Sequence, residues 1–272
     1  SGEWFYYGAA IYDTDELFGR IAYIDVGENY NPGIGFVPRP DQRNLALSAA
    51  YNPRPDIDAI RQLSFAGDYT RVENHAGILE SEETFFRLDT FFESDDFMEF
   101  AIVRNYEFVP FPFEIAPGIV IPPGEYEFTQ GGLYLGTFSG RRFYMNAAYN
   151  TGSFYEGDYR NIIADVGFKV SPRFHIDMQN RFNSIDLPGG EFDANIHRLF
   201  ASYYFSPTLT TRVAAQYLSL DEELILNFRL RWIYAPGSEA WLVYDEGRRF
   251  DVPGDSLRDR SVILKVVYNF HL

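Results

Sequence analysis

The 272-residue sequence contains no cysteine, which excludes disulfides, zinc–thiolate sites and thiol catalysis. It has no run of about 18 apolar residues, so no transmembrane helix is expected. Lys and Arg number 23 against 39 Asp and Glu, and the formal net charge of −16 argues against a nucleic-acid partner. Since internal repeats, Gly-rich phosphate loops, EF-hand loops and HExxH motifs are also absent, we expect no cofactor and no metal site.

Aromatic residues are abundant, at 18% of the chain with 26 Phe and 20 Tyr. The mean hydropathy is nevertheless slightly negative, at −0.23. Many aromatics at a low mean hydropathy favour strands in which apolar and polar side chains alternate. Such strands give a weak signal per segment, so the missing hydrophobic runs do not exclude a membrane.

The end of the chain shows this alternation most clearly. From Ser261 onward every second residue is apolar or aromatic, namely Val262, Leu264, Val266, Tyr268, Phe270 and Leu272. Successive side chains of a strand point to opposite faces, so we expect a strand with one apolar face that runs to the last residue. An outer-membrane barrel commonly ends in this way, because its last strand closes the ring against the first.

About 15 alternating segments, broken by turn signals, follow one another along the chain, and none favours a helix. The predicted strands are Trp4–Tyr12, Leu17–Val26, Asn44–Tyr51, Ile60–Arg71, Ile78–Phe92, Phe97–Phe108, Tyr126–Phe138, Arg142–Thr151, Asn161–Val170, Phe174–Phe182, Asn195–Phe205, Leu209–Leu218, Glu223–Tyr234, Glu239–Glu246 and Ser261–Leu272. Their length suits barrel strands of about 9–11 membrane-embedded residues plus loops. The predicted fold class is therefore an all-β, antiparallel transmembrane β-barrel.

Short turns such as Ser171-Pro-Arg173 and Ala235-Pro-Gly237 alternate with long connections at Gly27–Gln42, Val109–Glu125, Leu187–Asp193 and Gly247–Asp259. Bacterial barrels keep short turns on the periplasmic side and long loops outside, and their strand number is even. An odd count, and an N-terminus without a leader, predict a missing upstream strand. We expect one barrel domain over residues 1–272, the C-terminal part of a longer protein with 16 or more strands.

The polar side chains between the apolar positions are the candidate functional residues. A charge that faces lipid at mid-membrane costs roughly 2–4 kcal/mol, so these side chains must face the lumen of a barrel. The candidates for solute binding are Arg87, Asp177, Gln179, Arg181, Arg212, Gln216, Asn227, Arg229, Arg231 and Lys265. The same face is expected to carry Asp89, Arg142, Asp165 and Lys169.

Two interpretations of this predicted lumen stay open. In the first, the charges pair with one another and fill a plugged interior. In the second, a basic ladder of Arg212, Arg229, Arg231 and Lys265 faces acidic residues across a pore and selects solutes.

Catalytic patterns are weak, and we predict that the protein is not an enzyme. His75, beside Glu73 and Asn74 in an outer turn, is the one rim histidine with the polar company that a barrel hydrolase requires, although a loop histidine without a role is the simpler interpretation. The other histidines are His175, His197 and His271.

A charged loop near the end of the chain contains Asp251, Asp255 and Asp259. These carboxylates suit divalent cations or the counter-ions of lipopolysaccharide. Charge-rich solvated loops are the usual explanation for such a run.

Several motifs resemble one family. They are Gly33-Ile-Gly-Phe-Val-Pro-Arg39, Asp41-Gln-Arg43, Pro122-Pro-Gly-Glu-Tyr-Glu-Phe128, Phe205-Ser-Pro-Thr-Leu209, Asn227-Phe-Arg-Leu-Arg-Trp-Ile-Tyr-Ala-Pro-Gly237, Leu242-Val-Tyr-Asp-Glu-Gly247 and Leu264-Lys-Val-Val-Tyr268. Together they resemble the C-terminal barrel of an uncharacterised bacterial outer-membrane family, whose members typically carry a carbohydrate-binding family-9-like β-sandwich ahead of it. That sandwich is not in this chain, and no catalytic residue is carried over.

The expected location is the cell outer membrane, and the expected function is a pore or surface-binding protein for solute uptake. Glycans as the solute are implied by the resemblance alone. The alternative is a plugged structural barrel that anchors a binding domain or a partner subunit. The expected partners are outer-membrane lipid and lipopolysaccharide, a small solute or glycan, and partner subunits, with no nucleic acid.

Overall fold

The computed structural model describes residues 2–33, 35, 37, 39–250 and 256–270. These residues form an antiparallel sheet of 16 strands and a separate two-stranded hairpin, with no helix among them. Consequently none of the described residues belongs to a helix able to cross a membrane. The all-β antiparallel class is confirmed, and the fold is compatible with a β-barrel.

The strands are β1 (Phe5–Asp13), β2 (Leu17–Val26), β3 (Gln42–Tyr51), β4 (Ile60–Glu73), β5 (Leu79–Phe92), β6 (Phe97–Val109), β7 (Phe113–Ala116), β8 (Ile119–Ile121), β9 (Gly124–Gly136), β10 (Phe143–Phe154), β11 (Gly157–Ser171), β12 (Phe174–Leu187), β13 (Gly190–Asp193), β14 (Ile196–Ser206), β15 (Leu209–Leu218), β16 (Glu223–Ala235), β17 (Ser238–Arg249) and β18 (Leu257–Val267). Their order in the large sheet is β1-β2-β3-β4-β5-β6-β9-β10-β11-β12-β14-β15-β16-β17-β18, and β13 pairs with β12. The order begins with β1 and ends with β18, so ring closure stays a prediction.

The 15 strands on this path correspond one to one with the predicted segments. The short strands β7, β8 and β13 are additions, because their residues were expected to lie in loops. In the proline-rich stretch, Pro117 and Pro122 flank β8 and do not interrupt it. The hairpin of β7 and β8 forms its own two-stranded sheet outside the large one.

The prediction that the final strand runs to the last residue is wrong for Tyr268–Phe270. Strand β18 ends at Val267, which pairs with Glu239 near the start of β17. Beyond Glu239 only Ser238 remains in β17, and its Oγ accepts a hydrogen bond from the Asn269 amide at 2.9 Å. The ladder therefore stops for lack of a partner strand. His271 and Leu272 lie outside the described residues.

The connections alternate between two edges of the sheet, because neighbours in the sheet follow one another in the chain and run antiparallel. One edge carries residues 27–41 and 110–123, and the other carries the tight turns 172–173, 207–208 and 236–237. We call these the long-loop edge and the short-turn edge. The predicted short/long phase holds for these connections but not throughout, because the short-turn edge also carries the eight-residue connection 52–59. Shorter turns also occur at the long-loop edge, at 74–78, 155–156 and 219–222.

The chain divides into two compact units. Unit 1 contains the described residues of Ser1–Leu135, Asn150–Arg160 and Ile185–Phe192. Unit 2 contains those of Gly136–Tyr149, Asn161–Ser184 and Asp193–Leu272.

In unit 1 the apolar side chains cover the exposed face of the sheet. One cross-strand row consists of Leu17, Tyr51, Phe65, Leu88 and Phe100. Phe86 and Phe100 are 58% and 55% exposed, and Ile21 beside Leu47 continues the face. We call this surface the apolar face of unit 1.

The opposite surface, the polar face of unit 1, carries the charged side chains that alternate with the apolar ones. The registers of β2 to β6 place there Arg20, Ser48, Asp68, Glu83, Arg87, Asp89, Glu99 and Glu107. The alternation in the sequence thus sorts the side chains of each strand into two chemically distinct faces, because the side-chain period of a strand is two.

Unit 2 repeats this division. Its apolar face contains the row Val213, Phe228, Tyr244 and Val262 and the row Leu230, Leu242 and Leu264. Leu264 is 71% exposed and Val262 is 67% exposed. In both units, therefore, the apolar side chains are the exposed ones, which is the reverse of a sheet that packs its apolar face into a core.

The main buried apolar cluster lies on the polar face of unit 1. The hairpin of β7 and β8 contributes Ala116, Ile119 and Ile121, each at most 8% exposed. They pack against Val109, Tyr126, Phe128 and Leu187 from the large sheet. Val109 is on the polar face because it follows Glu107 by two residues in β6. The hairpin therefore covers the long-loop end of this face.

Candidate functional site: the polar face of the sheet

The predicted solute-binding residues of unit 2 all lie on one face. Strands β12, β14, β15, β16, β17 and β18 pair in a register that aligns Asp177, Gln179, Arg181, Arg212, Gln216, Asn227, Arg229, Arg231 and Lys265. We call this surface the polar face of unit 2. Arg87, the remaining predicted residue, lies on the polar face of unit 1.

Several of these cations have a carboxylate partner close by on the same face. Arg181 forms a two-pronged ion pair with Asp165, with Nη2 to Oδ2 at 3.0 Å. Arg231 donates to Glu239 at 2.8 and 2.6 Å. These contacts agree with the interpretation in which the charges of the face pair with one another.

Arg87 is paired in the same way in unit 1. Its Nε lies 3.3 Å from an Asp89 carboxylate oxygen, and Asp89 stands directly opposite Glu99. Two carboxylates therefore face each other here, and one arginine lies beside them. This part of the polar face has an excess of negative charge.

Arg212 and Arg229 differ from the paired arginines. They are direct cross-strand partners on β15 and β16. The Arg212 guanidinium lies over the Phe200 ring, 4.3 Å from its centroid, and forms no salt bridge among the described residues. Arg229 contacts the Asn227 side chain at 2.9 Å, and its Nη2 is 3.7 Å from Asp245. Within the predicted ladder, Arg212 is therefore a cation without an ion pair among the described residues, and Arg229 is compensated by one carboxylate at 3.7 Å.

Lys265 lies apart from this pair. Trp241 is its cross-strand partner on β17, and Arg231 places its guanidinium 5.2 Å from the centroid of the same Trp241 ring. The ladder predicted from the sequence is therefore interrupted by Trp241 and Glu239, and it is not a continuous row of cations.

The sequence prediction missed Arg198 and the acidic partners of the ladder. Arg198 stands between Gln179 and Gln216 and donates to the Gln216 side chain at 2.7 Å. Its position could have been found by dividing segment 195–205 into alternating sets. Asp245 and Glu239 could not be assigned to Arg229 and Arg231, because such a pairing requires the register between two strands.

The long-loop edge of unit 1 holds a second polar cluster around His75. Its Nδ1 contacts Asp41 at 2.6 Å and its Nε2 contacts Asp25 at 2.9 Å. Trp4 donates to the same Asp25 at 2.8 Å and meets the imidazole edge-on at 5.5 Å. The hydrogen bonds that the imidazole makes to the carboxylates of Asp41 and Asp25 raise the pKa of His75 above its usual value.

This geometry gives His75 a structural role. Both ring nitrogens are engaged by carboxylates, so neither is free to activate a nucleophile. Among the described residues, no group of three or more His, Asp or Glu side chains is arranged to hold a metal ion.

Of the acidic loop residues, Asp251 and Asp255 lie outside the described residues. The loop assignment of Asp259 is wrong, because β18 begins at Leu257 and pairs Asp259 with Gly247.

Charged side chains end the apolar face at the long-loop edge in both units. In unit 1, Arg71 donates to Glu73 at 2.8 Å and to Glu82 at 3.0 Å. In unit 2, Glu246 accepts hydrogen bonds from Arg248 at 2.5 Å and from Arg260 at 2.9 Å. The apolar surface is thus bounded by charge on that side.

Beneath the hairpin in unit 1 is a cavity of about 240 Å³ lined by Val120, Ile121, Pro122, Tyr126, Tyr155, Glu156, Leu187, Pro188 and Gly189. Tyr155, in the turn after β10, donates to Glu107 at 2.9 Å. Burial and this hydrogen bond raise the pKa of Tyr155, so its phenol stays protonated at neutral pH.

No family model and no curated protein matches this chain. A solved structure described as "Asymmetric conductivity of engineered proteins" is similar to it over 88% of this chain and 95% of that chain, with a TM-score of 0.30 and 10% sequence identity. A similarity at this level supports no argument about fold or function.

Proposed function

We propose that the chain forms an outer-membrane β-barrel that admits small solutes to a polar lumen. One observation carries the proposal, namely that the exposed face of the sheet is the apolar face in both units. In water such a surface is unfavourable at about 25 cal/mol per Å² of apolar area, whereas lipid accommodates it. In a barrel the polar faces would line the interior.

The height of the apolar surface supports a lipid environment. Leu17 and Asp25 bound it on β2, and about 27 Å of strand separate them at about 3.4 Å per residue. At the tilt of about 35–45° that barrel strands have, this length rises about 19–22 Å along the membrane normal, which is of the same order as the apolar band of about 25 Å on outer-membrane barrels. Lipid would contact the apolar face, and the arginines at its charged end, Arg71, Arg248 and Arg260, would meet lipopolysaccharide or water.

The absence of cysteine gives a direct test of lipid exposure. Leu47 and Ser48 are neighbours on β3 that point to opposite faces. In vesicles containing the complete protein, we expect a water-soluble maleimide to label Ser48→Cys much faster than Leu47→Cys. Equal labelling of the two variants in vesicles would contradict membrane insertion in this orientation.

Passage of solute has its own test in planar bilayers. We expect the complete protein to give discrete conductance steps. If it binds to the bilayer and gives no steps, the pore proposal fails, even when the labelling result supports insertion.

The second candidate is a plugged barrel that anchors a binding domain or a partner subunit. The hairpin favours it, because Ile119 and Ile121 seal part of the polar face of unit 1. The ion pairs Arg181–Asp165 and Arg231–Glu239 favour it as well, since paired charges fill space and leave fewer groups for solute. Conductance separates the two candidates, and glycans as the solute rest on the family resemblance alone.

A further inference from the structure

Arg212 and Arg229 are two cations that lie directly opposite each other on neighbouring strands. The ion pairs described for the polar faces do not account for this arrangement. Directly opposite residues on antiparallel strands have Cβ atoms about 4.5–5.5 Å apart, and like charges in that arrangement are destabilising. A negative charge close to both guanidinium groups would relieve this repulsion.

The protein supplies that charge only in part. Asp245 is the carboxylate nearest to Arg229, at 3.7 Å, and it already accepts a hydrogen bond from the Asn227 amide. Arg212 donates no hydrogen bond from its guanidinium to any described residue. The Phe200 ring, 4.3 Å below it, holds it by a cation–π contact. Up to five N–H donors of an exposed arginine are therefore available to a ligand.

The neighbouring side chains extend the site along the same row. Ser202 is the cross-strand partner of Arg212 on β14, and His175 is the partner of Ser202 on β12. Asp177 follows His175 on the same face but is hydrogen-bonded to Tyr144. The row thus combines two guanidinium groups, a hydroxyl and an imidazole.

We propose that the Arg212–Arg229 pair is a binding subsite for the oxyanion group of a small organic solute, either a carboxylate or a phosphate. A planar guanidinium binds two oxygens of such a group at once, and two guanidinium groups would share its negative charge. The inference deepens the proposed function, on which it rests, because it names the chemical class of solute that the polar face of unit 2 receives.

Thermal unfolding of the complete protein in detergent tests the subsite without requiring a pore. Inorganic phosphate and acetate are the probes, with sodium chloride at matched ionic strength as the reference. A ligand that binds only the folded state raises the midpoint of unfolding. We expect phosphate, acetate or both to raise it, and the stronger of the two identifies the source of the oxyanion.

The variants Arg212→Gln and Arg229→Gln should each weaken this protection about tenfold in apparent Kd. Without ligand, Arg212→Gln should leave the midpoint unchanged or raise it, because it removes a like-charge contact. Arg104→Gln is the matched control, since Arg104 pairs with Glu127 and lies on the same side of the sheet as Thr84 and Tyr69, away from the polar face.

Absence of any oxyanion-specific shift would overturn the inference. So would equal protection of wild type and both variants, or a lower midpoint of ligand-free Arg212→Gln, which would make the pair a structural element. The two proposals can fail separately. If the protein gives no conductance but its protection by an oxyanion depends on Arg212, the pore proposal is rejected and the subsite is retained.

Discussion

The polar faces of the two units are built from the same alternating strands but are used differently. In unit 1 the hairpin of β7 and β8 covers one end of the face, and the central rows carry Asp68, Asp89 and Glu99. In unit 2 the central rows carry Arg198, Arg212 and Arg229. The comparison shows that period-two alternation determines which face of the sheet is polar. An insertion between strands, such as the hairpin, determines how much of that polar face stays uncovered.

A substitution in the hairpin should have the largest effect on stability, because the hairpin is what distinguishes the covered polar face of unit 1 from the uncovered polar face of unit 2. Ile121 is 3% exposed, whereas its neighbour Val120 is 50% exposed. We expect Ile121→Ala to lower the free energy of unfolding by about 2–4 kcal/mol, since it leaves a cavity in the cluster. Urea titration of the protein refolded in detergent measures it.

Val120→Ala is the control for this variant and should cost well under 1 kcal/mol, because an exposed side chain loses little burial. If both variants have the same stability as wild type, the hairpin does not stabilise unit 1. Conductance of Ile121→Ala above that of wild type would indicate that the hairpin narrows the lumen.

A charge placed on the apolar face should have the next largest effect. Val213 is 44% exposed, and Ala214 points to the polar face beside Asn227. We expect Val213→Arg to destabilise the protein in lipid bilayers by about 2–4 kcal/mol and Ala214→Arg to cost much less. An equal cost for both variants in bilayers would remove the distinction between the faces on which the proposed function depends.

The two-face pattern was the most predictable part of the fold, and the reason is local. Alternation along Glu223–Tyr234 assigned Asn227, Arg229 and Arg231 to one face without any knowledge of the neighbouring strands. The hairpin was not predicted, because Pro117 and Pro122 indicate a loop and a β-strand of three residues is too short to show alternation.

Partners on the polar face could not be predicted from the same local signal. The pair Arg231–Glu239 spans a hairpin turn, and the pair Arg229–Asp245 depends on the register of β16 with β17. A shift of one residue would send Glu239 and Asp245 to the apolar face. Which charges neutralise one another on this face therefore depends on the tertiary structure, whereas the polarity of the face can be predicted from the sequence.

Paired and unpaired cations of unit 2 should respond differently to removal. In a double-mutant cycle of Arg231→Gln and Glu239→Gln, we expect a small favourable coupling, because the pair is only partly shielded from solvent. Arg212→Gln combined with Glu239→Gln should give a coupling near zero. A larger coupling for Arg212 would mean that this arginine is compensated by the protein and has no need of a ligand.

The smallest expected effect is the pH response of the His75 cluster, a feature of the long-loop edge of unit 1. A raised pKa means that protonated His75 contributes stability fully below its usual pKa of about 6.5, and that this contribution is lost as the pH rises through the raised value. For a cluster near the surface it amounts to less than about 1 kcal/mol.

Trp4 reports this titration, because its ring contacts the imidazole at 5.5 Å. In a background of Trp232→Phe and Trp241→Phe, we expect the emission of Trp4 to titrate with a midpoint above 6.5. Asp41→Asn should lower the midpoint, since the hydrogen bond that Asp41 accepts from the imidazole is the largest cause of the raised pKa. His75→Gln should abolish the titration. A midpoint at or below 6.5 in the unsubstituted cluster would show that its two carboxylates do not favour the imidazolium.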